Sequence, residues 1–333
     1  MNQVNHIVSH KTDLDQRFAI IRAVREWFWE EGFIEVETPL ILRLPGQEPH
    51  LSLMKTEIYN EKGEVFPAYL HTSPEYALKK MLAAGYTKIF SLGKVFRNQE
   101  SFGGTHNPEF TMIEWYRANK DFNALIDDVE NLIDVVAEKT QLPIDWKFQR
   151  FHMRELWQKF ANVNLDDYLD KESILRLCRE KGYNPLETEG YEDLFYRIFL
   201  NEIEPQLAKL GVVAVHHYPL PMAALSRQSE TDPGYAERVE IYVDGIELAN
   251  GFSELTDGQE QLKRLQAEQK QRAGLGRDVY DIDLEFIDAV NNMPKSAGIA
   301  LGIDRLVMAL TGCQNINDVL VLPASELFSE PQK

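Results

Sequence analysis

From Leu14 to Glu31 the apolar positions Leu14, Phe18, Ile21, Val24 and Phe28 recur at helical spacing, with Asp13 and Gly32 placed to cap the two ends. The period then changes. Phe33-Ile34-Glu35-Val36-Glu37-Thr38 alternates apolar and polar, and Pro39, which cannot donate to a ladder, closes a strand near an edge or an interface. Residues 69–97 read as strand, helix, strand: a turn at Thr72-Ser73-Pro74-Glu75, a helix through Tyr76, Leu78, Lys79 and Met81 with Pro74 at its first position, and a second strand at Lys88-Ile89-Phe90-Ser91-Leu92. Phe122, Leu125, Ile126, Val129, Leu132, Ile133 and Val136 form the stripe of a further helix. Residues 142–208 are mostly helical in pattern and carry no motif. Strands return at 212–218 and 239–249, and the polar helix from Gln259 to Ala273, closed by Gly274, reads as a solvated face. No repeat or linker interrupts the chain. The pattern predicts one α+β domain over 1–333, an antiparallel sheet flanked by helices, with a mostly helical insertion around 142–208.

Three segments carry candidate chemistry. Val95 to Glu100, a loop through Gly103 and Gly104, and His106 to Tyr116 read as two strands joined by a mobile loop. Side chains alternate on the second strand, so Phe110, Met112, Glu114 and Tyr116 share one face. A carboxylate on a covered sheet face is costly unless a cation answers it. A substrate ammonium would do so, and so would an internal arginine.

The second segment, Val239 to Glu254, has Asp244-Gly245 between two alternating runs, a strong hairpin signal. With those two residues in the turn, Val243 faces Ile246, Tyr242 faces Glu247, and Glu240 lies diagonal to Glu247 on the same face. Diagonal neighbours sit about 7–8 Å apart, near enough for two carboxylates to converge on a hard cation. Asn250 and Glu254 follow, on either side of Gly251. The third segment, Ser296 to Leu310, is a small-residue strand running into an apolar helix. Arg305 falls in the first helical turn, where the macrodipole disfavours a cation, and a broken local rule often marks function.

The composition narrows the classes. With 333 residues, 44% hydrophobic and 26% charged, the chain is an ordinary globular protein rather than a disordered or fibrous one. A formal net charge of −18 opposes a broad nucleic-acid-binding surface, so no stable nucleic-acid binding is expected. Met1 to Lys11 lacks the apolar core of a signal peptide, and no stretch reaches membrane-span length, which predicts a cytoplasmic protein with no membrane partner. Cys178 and Cys313 are far apart and suggest neither a disulfide framework nor a zinc site. No GxxxxGK[ST] loop precedes a helix, and Gly274-Leu275-Gly276 lacks the third glycine of a dinucleotide loop, so any nucleotide site is of another kind.

In this order, Gly32 to Pro39, Phe96 to Tyr116 and Gly298 to Arg305 resemble the three signature motifs of class II aminoacyl-tRNA synthetases. His106 to Met112 and Glu247 to Glu254 resemble the lysyl branch of that class, and the resemblance spans almost the whole chain. With the first motif ending at Pro39, no anticodon-binding barrel is expected before it. A stand-alone core of this kind resembles the elongation factor P (R)-β-lysine ligases. That resemblance implies ATP as co-substrate, Mg²⁺, lysine or β-lysine as amino acid, elongation factor P as acceptor, and a homodimer built on the first motif. A truncated ligase with another acceptor and an inactive paralogue remain the alternatives.

The resemblance also assigns roles by motif position. It implies that Arg97 contacts the α-phosphate and the substrate carboxylate and that Arg305 meets the γ-phosphate. Phe110 is expected to stack on adenine, with Asn98, Gln99, Glu100, His106, Asn107, Leu248 and Gly302 around the nucleotide and Glu240 and Glu247 on Mg²⁺. Ser73, Pro74 and Glu75 are expected at the amino group, and Glu114, Tyr116, Asn250, Phe252 and Glu254 around the distal ammonium. Two features depart from the lysyl-tRNA synthetase pattern. Gln99 stands where a glutamate is usual, the loop before His106 lacks the usual arginine, and Glu100 substitutes through a one-residue shift. Ala300 replaces a glycine and adds a methyl to the amino-acid pocket. His216 and His217 are expected to be structural.

Overall fold

The computed structural model describes residues 3–328. In chain order it contains α1 (Gln3–Ser9), α2 (Lys11–Glu30), β1 (Ile34–Glu35), β2 (Ile41–Leu42), β3 (Lys55–Tyr59), β4 (Val65–Leu70), α3 (Glu75–Ala83), β5 (Lys88–Phe96), β6 (Glu109–Ala118) and α4 (Phe122–Thr140). Then follow β7 (Phe148–His152), α5 (Met153–Leu156), α6 (Lys171–Glu180), α7 (Tyr191–Ile198), α8 (Glu204–Leu207), β8 (Val212–Pro219), β9 (Tyr235–Val243) and β10 (Ile246–Ser253). The chain closes with α9 (Gly258–Gly274), α10 (Leu284–Asn292), β11 (Ser296–Gly302), α11 (Ile303–Thr311) and α12 (Ala324–Leu327). Among the described residues no helix is long and apolar enough to cross a membrane.

The main sheet has eight strands in the order β1-β5-β6-β11-β10-β9-β8-β7. It is antiparallel except at its two edges, where β1 pairs with β5 and β7 with β8 in parallel. The alternating run after Gly32 is thus a two-residue edge strand, shorter than its pattern. The helical stretch contributes β7 as well as helices α5–α8. A second sheet, β2-β4-β3, stands apart with most of its side chains exposed.

Period-two alternation divides the main sheet into two chemically different faces. Ile113, Trp115, Ala297, Ile299, Leu301, Ala249, Val239 and Ile241 point to one side and pack under α2, α4 and α11 in the larger core. At the far edge, Val213, Val215 and Tyr242 point to the other side and are covered by α6 and α7. The middle of that second face, on β6, β11 and β10, is left open as a cavity.

Two expectations about helices need correction. Phe18 is 54% exposed, while Arg17 is buried in its place. The apolar stripe was rotated because Arg17 pairs with the buried Asp304 at 2.5 Å, and the Asp304 carboxylate also accepts from the backbone N–H of Thr111. The polar helix α9 is not wholly solvated either: it buries Gln261, Leu265 and Arg272, and the Arg272 guanidinium donates to the carbonyls of Glu48, Leu51 and Asp278.

The Arg17–Asp304 pair joins α2 to α11 and, through Thr111, to β6. Removing one partner of a buried pair strands the other charge and costs about 3–5 kcal/mol. Arg17→Met should lower the urea-unfolding free energy by about that amount, and adding Asp304→Leu should recover part of it; unchanged stability of Arg17→Met would refute the coupling.

Candidate active site

Strand register brings the site together. Across the open face, Ser91 on β5 lies opposite Glu114 on β6, Glu114 opposite Ala300 on β11, Ala300 opposite Asn250 on β10, and Asn250 opposite Glu240 on β9. One row therefore carries four polar side chains, two on each side of the small residue Ala300. The parallel row beside it holds Tyr116, Gly298 and Phe252. A Cβ at position 298 would lie 2.1 Å from the Tyr116 ring and 2.7 Å from Glu254 Oε1, so only glycine fits between them.

The hairpin forms as its turn residues require: Asp244 and Gly245 both have positive φ, and Val243 and Tyr242 face Ile246 and Glu247. A register shift between Glu247 and Ala249 then adds one residue to β10. The extra residue places Asn250, rather than Ala249, opposite Glu240.

The cavity above this face measures about 440 Å³. At its acidic end Glu75 and Glu114 line the wall, and Glu254 is fully buried behind them. Lys79, one turn after Glu75 on α3 and 1% exposed, reaches both Glu75 Oε1 at 2.5 Å and Glu254 Oε2 at 2.7 Å. Ser73 Oγ donates to Glu114 Oε1 at 2.5 Å and accepts from the Glu75 N–H at 3.0 Å. Glu75 and Glu254 therefore share one resident ammonium, and Glu114 is held beside them by the Ser73 hydroxyl. Burial, reinforced by Glu75, pushes the Glu114 carboxyl up to about 8. Burial also pushes Glu254 up to about 8, against the neighbouring Lys79 ammonium, which lowers it, and with Glu75, which adds to the rise. Asn250 Oδ1 is buried with no donor. Pro74, Tyr116 and Glu254 lie outside the cavity lining, and the last two form the layer beneath it.

The opposite end is cationic. Arg97 lines it with its guanidinium 5.1 Å over the Phe110 ring; its buried Nε has no acceptor. Arg305 donates to the Glu247 carbonyl at 2.7 Å, lies 3.7 Å from Glu247 Oε2, and approaches His106 Nε2 at 3.3 Å. Burial and the Arg305 charge hold the His106 imidazole below its ordinary value, so it is neutral and can accept from that arginine. Glu100, Leu248, Phe252, Ala300 and Gly302 also line the cavity.

Four expected nucleotide or metal residues are placed elsewhere or are already engaged. Gln99 adopts φ +62 and its side-chain oxygen accepts from Ser52 Oγ at 2.8 Å, outside the lining; Glu100, the next residue, faces in. Asn98 also lies outside, its side chain turned to the Leu53 carbonyl and the Gln99 N–H. Asn107 borders the cavity, but its amide donates to the Glu109 carbonyl and accepts from the Ala324 N–H. Glu240 accepts from Arg238, Tyr218 and Tyr242 at 2.5–2.6 Å and does not line the cavity. His216 and His217 stack among His152 and Phe122, also outside it.

Among the described residues no group of three or more His, Cys, Asp or Glu is placed to hold a metal unaided. Glu247 is the acidic side chain nearest Arg305 at the cationic end; burial and the nearby Glu240 push its carboxyl up to about 7 despite that arginine. It fits a hard cation that brings most of its oxygens with a phosphate ligand, the habit of Mg²⁺.

Sequence reasoning missed Lys79, Arg238, Glu48, Tyr76 and Glu268, all placed in or directly behind the cavity walls. Two had a signal: Lys79 stands four residues after Glu75, and Arg238 two before Glu240 on one strand face. Glu48 and Glu268 had none, because both reach the site through tertiary packing.

The sequence model described as class II tRNA synthetases (D, K and N) matches residues 7–326. The chain is 38% identical over 314 residues to the elongation factor P–(R)-β-lysine ligase of Haemophilus influenzae strain PittGG, covering 92% of this chain and 94% of that one. Against the ligases of that name from Histophilus somni strain 2336 and Yersinia enterocolitica serotype O:8, identity is 39% over 309 residues and 37% over 314. These alignments cover 91% and 93% of this chain, and 92% and 94% of the relatives.

Glu114 and Glu254 carry folded-state values raised from the ordinary 4.5 to about 8, so they bind protons more tightly folded than unfolded. Their contribution is fully present below 4.5 and is lost as pH rises through about 8. The ligand-free melting temperature should fall between about pH 5 and about pH 9, and less steeply for Glu114→Gln. Equal slopes in scanning fluorimetry would contradict this electrostatic account.

Proposed function

The chain belongs to the class II tRNA synthetases (D, K and N), in the branch of the elongation factor P–(R)-β-lysine ligases, and we propose that it activates (R)-β-lysine with ATP and transfers it to a lysine side chain of elongation factor P. The observation that carries this reading is a charge count within one cavity. With Glu75, Glu114 and Glu254 all ionised, the three acids less Lys79 carry two negative charges, a state that the two ammonium groups of a bound diamino acid stabilise while its carboxylate meets Arg97.

Each end then has a task. Glu75 and Asn250 hold the amine nearer the carboxylate, and Glu114, backed by Tyr116 and Glu254, holds the distal one. Arg97 draws the carboxylate and the α-phosphate together, so that a carboxylate oxygen attacks phosphorus and pyrophosphate leaves. The preorganised guanidinium is worth more here than in water because its charge is desolvated. Phe110 supports the adenine, and Arg305 receives the departing phosphates with His106 beside it. Glu247 would hold Mg²⁺, which when bound would supply charge neutralisation on the phosphates; Glu240 anchors the sheet behind it. The adenylate is already activated, so the acceptor amine attacks it directly and no covalent enzyme intermediate forms.

Ala300, between Glu114 and Asn250, narrows the floor of the amino-acid end, which supports choice of an isomer whose amine is shifted by one carbon. Exposed Ile34, Leu40 and Ile41 around the edge strand support a homodimer at the first motif. The protein acts in the cytoplasm, where its acceptor works.

Elongation factor P incubated with the protein, ATP, Mg²⁺ and each lysine isomer should gain one lysyl residue by mass spectrometry, most rapidly with (R)-β-lysine; a tRNA acylation assay run beside it should stay negative. Pyrophosphate exchange independent of any lysine isomer would sink the reading. Arg97→Ala should lower exchange by about 10²–10³-fold. Ala300→Gly should shift preference toward α-lysine by about 10–200-fold, the worth of one methyl in a pocket.

A further inference from the structure

A second cavity of about 700 Å³ lies against the first, and the two share Glu48, Ala224, Arg238 and Glu268 as a common wall. Its far side is apolar at Leu220, Pro221 and Met222, and acidic residues Glu192, Asp257 and Glu260 rim it with Arg264. Within the wall, Glu268 on α9 makes no hydrogen bond or ion pair to any described residue. Arg238, 7% exposed, spends Nη1 on the Met222 carbonyl and Nη2 on Glu240, and its buried Nε–H has no acceptor. The partition thus contains an acid without a cation and a donor without an acceptor.

The chemistry of transfer asks for such a wall. Once the adenylate fills the first cavity, the attacking amine must arrive past neither the nucleotide nor the amino acid. A lysine side chain offers an apolar stem and a cationic tip, matching an apolar lining that ends at an acid. Its ammonium is not a nucleophile until it loses a proton.

Resting on the reading under Proposed function, we propose that the second cavity admits the acceptor lysine of the protein substrate and that Glu268 removes a proton from its ε-ammonium. Of the three protons on that nitrogen, one goes to the Glu268 carboxylate and leaves a lone pair. The lone pair forms the C–N bond at the adenylate carbonyl, the C–O bond to phosphate breaks, and AMP departs with that electron pair. The second proton leaves with the phosphate, and the third stays on the new amide. The backbone of the incoming peptide supplies carbonyls for the Arg238 Nε–H.

The electrostatics suit a base. Burial, with Glu48, Glu75 and Glu192 adding and Arg264 opposing, pushes the Glu268 carboxyl up to about 8, close to working pH.

Two variants test the route: Glu268→Gln, and Ala267→Trp at an exposed α9 position that lines only the second cavity. Three rates are read on the full chain with (R)-β-lysine: pyrophosphate exchange, transfer to elongation factor P, and trapping of the adenylate by hydroxylamine, a small neutral nucleophile. Both variants should lower transfer by about 10²-fold more than exchange, the usual worth of a placed base, while hydroxamate formation follows exchange. For Glu268→Gln the rise of transfer with pH should move toward the free lysine value of about 10.4, and for Ala267→Trp it should not move. Transfer that falls no further than exchange in both variants overturns the proposal. Absence of lysine-dependent exchange in the unaltered protein instead overturns the adenylation reading, and the proposal with it.

Discussion

Two buried carboxylates and a partly buried third, gathered near a single ammonium, set the terms for the rest of this fold. Glu75, Glu114 and Glu254 cannot all ionise beside Lys79 alone, because desolvation and mutual repulsion oppose it. The arrangement persists because each acid is fixed from a different direction: α3 brings Glu75 with Lys79, β6 brings Glu114, and the end of β10 brings Glu254. A sheet with one face packed solid under α2, α4 and α11 resists the small shifts by which repelling groups would otherwise separate. The cationic end is tied to the same frame, since Arg305 follows Asp304 on α11, and Asp304 is locked to Arg17 and to the backbone of β6.

That frame gives the cavity its polarity. Guanidinium groups of Arg97 and Arg305 stand at one end, acids at the other, and small residues of β11 between them. A ligand with a carboxylate at one end and amines toward the other is therefore read by orientation as well as by shape. The short strand β11 matters most where it lacks side chains, at Gly298, since any larger residue collides with Tyr116.

Much of this was legible in the chain. Period-two alternation put Phe110, Met112, Glu114 and Tyr116 on one face because β6 is ten residues long and Ile113 and Trp115 of its opposite face are buried in the larger core. The Asp244-Gly245 turn fixed the pairing of Val243 with Ile246 because both turn residues accept a left-handed backbone. What escaped depended on distant packing. Nothing local marks the extra residue of the β10 bulge, and without it Glu240 could not be seen facing Asn250. Arg17 reads as polar, so the stripe of α2 was drawn through Phe18, though a buried partner 287 positions away turns the helix otherwise. Glu240 passed for a free metal ligand because the three donors that occupy it come from β8 and from its own strand. The inner face of α9 has too few apolar residues to announce itself.

Glu75 and Lys79 occupy successive turns of one helix, so this cavity-lining acid and its counter-ion are inherited, moved and lost together. A descendant that adopted an uncharged amino acid by replacing Glu114 alone would keep a lysine still aimed at Glu75 and Glu254, now with a cation able to satisfy most of the remaining acidity. Changing substrate class in this scaffold is thus a matter of exchanging helix α3 as a block, and redesigns that edit only the sheet floor should inherit a pocket that neutralises itself.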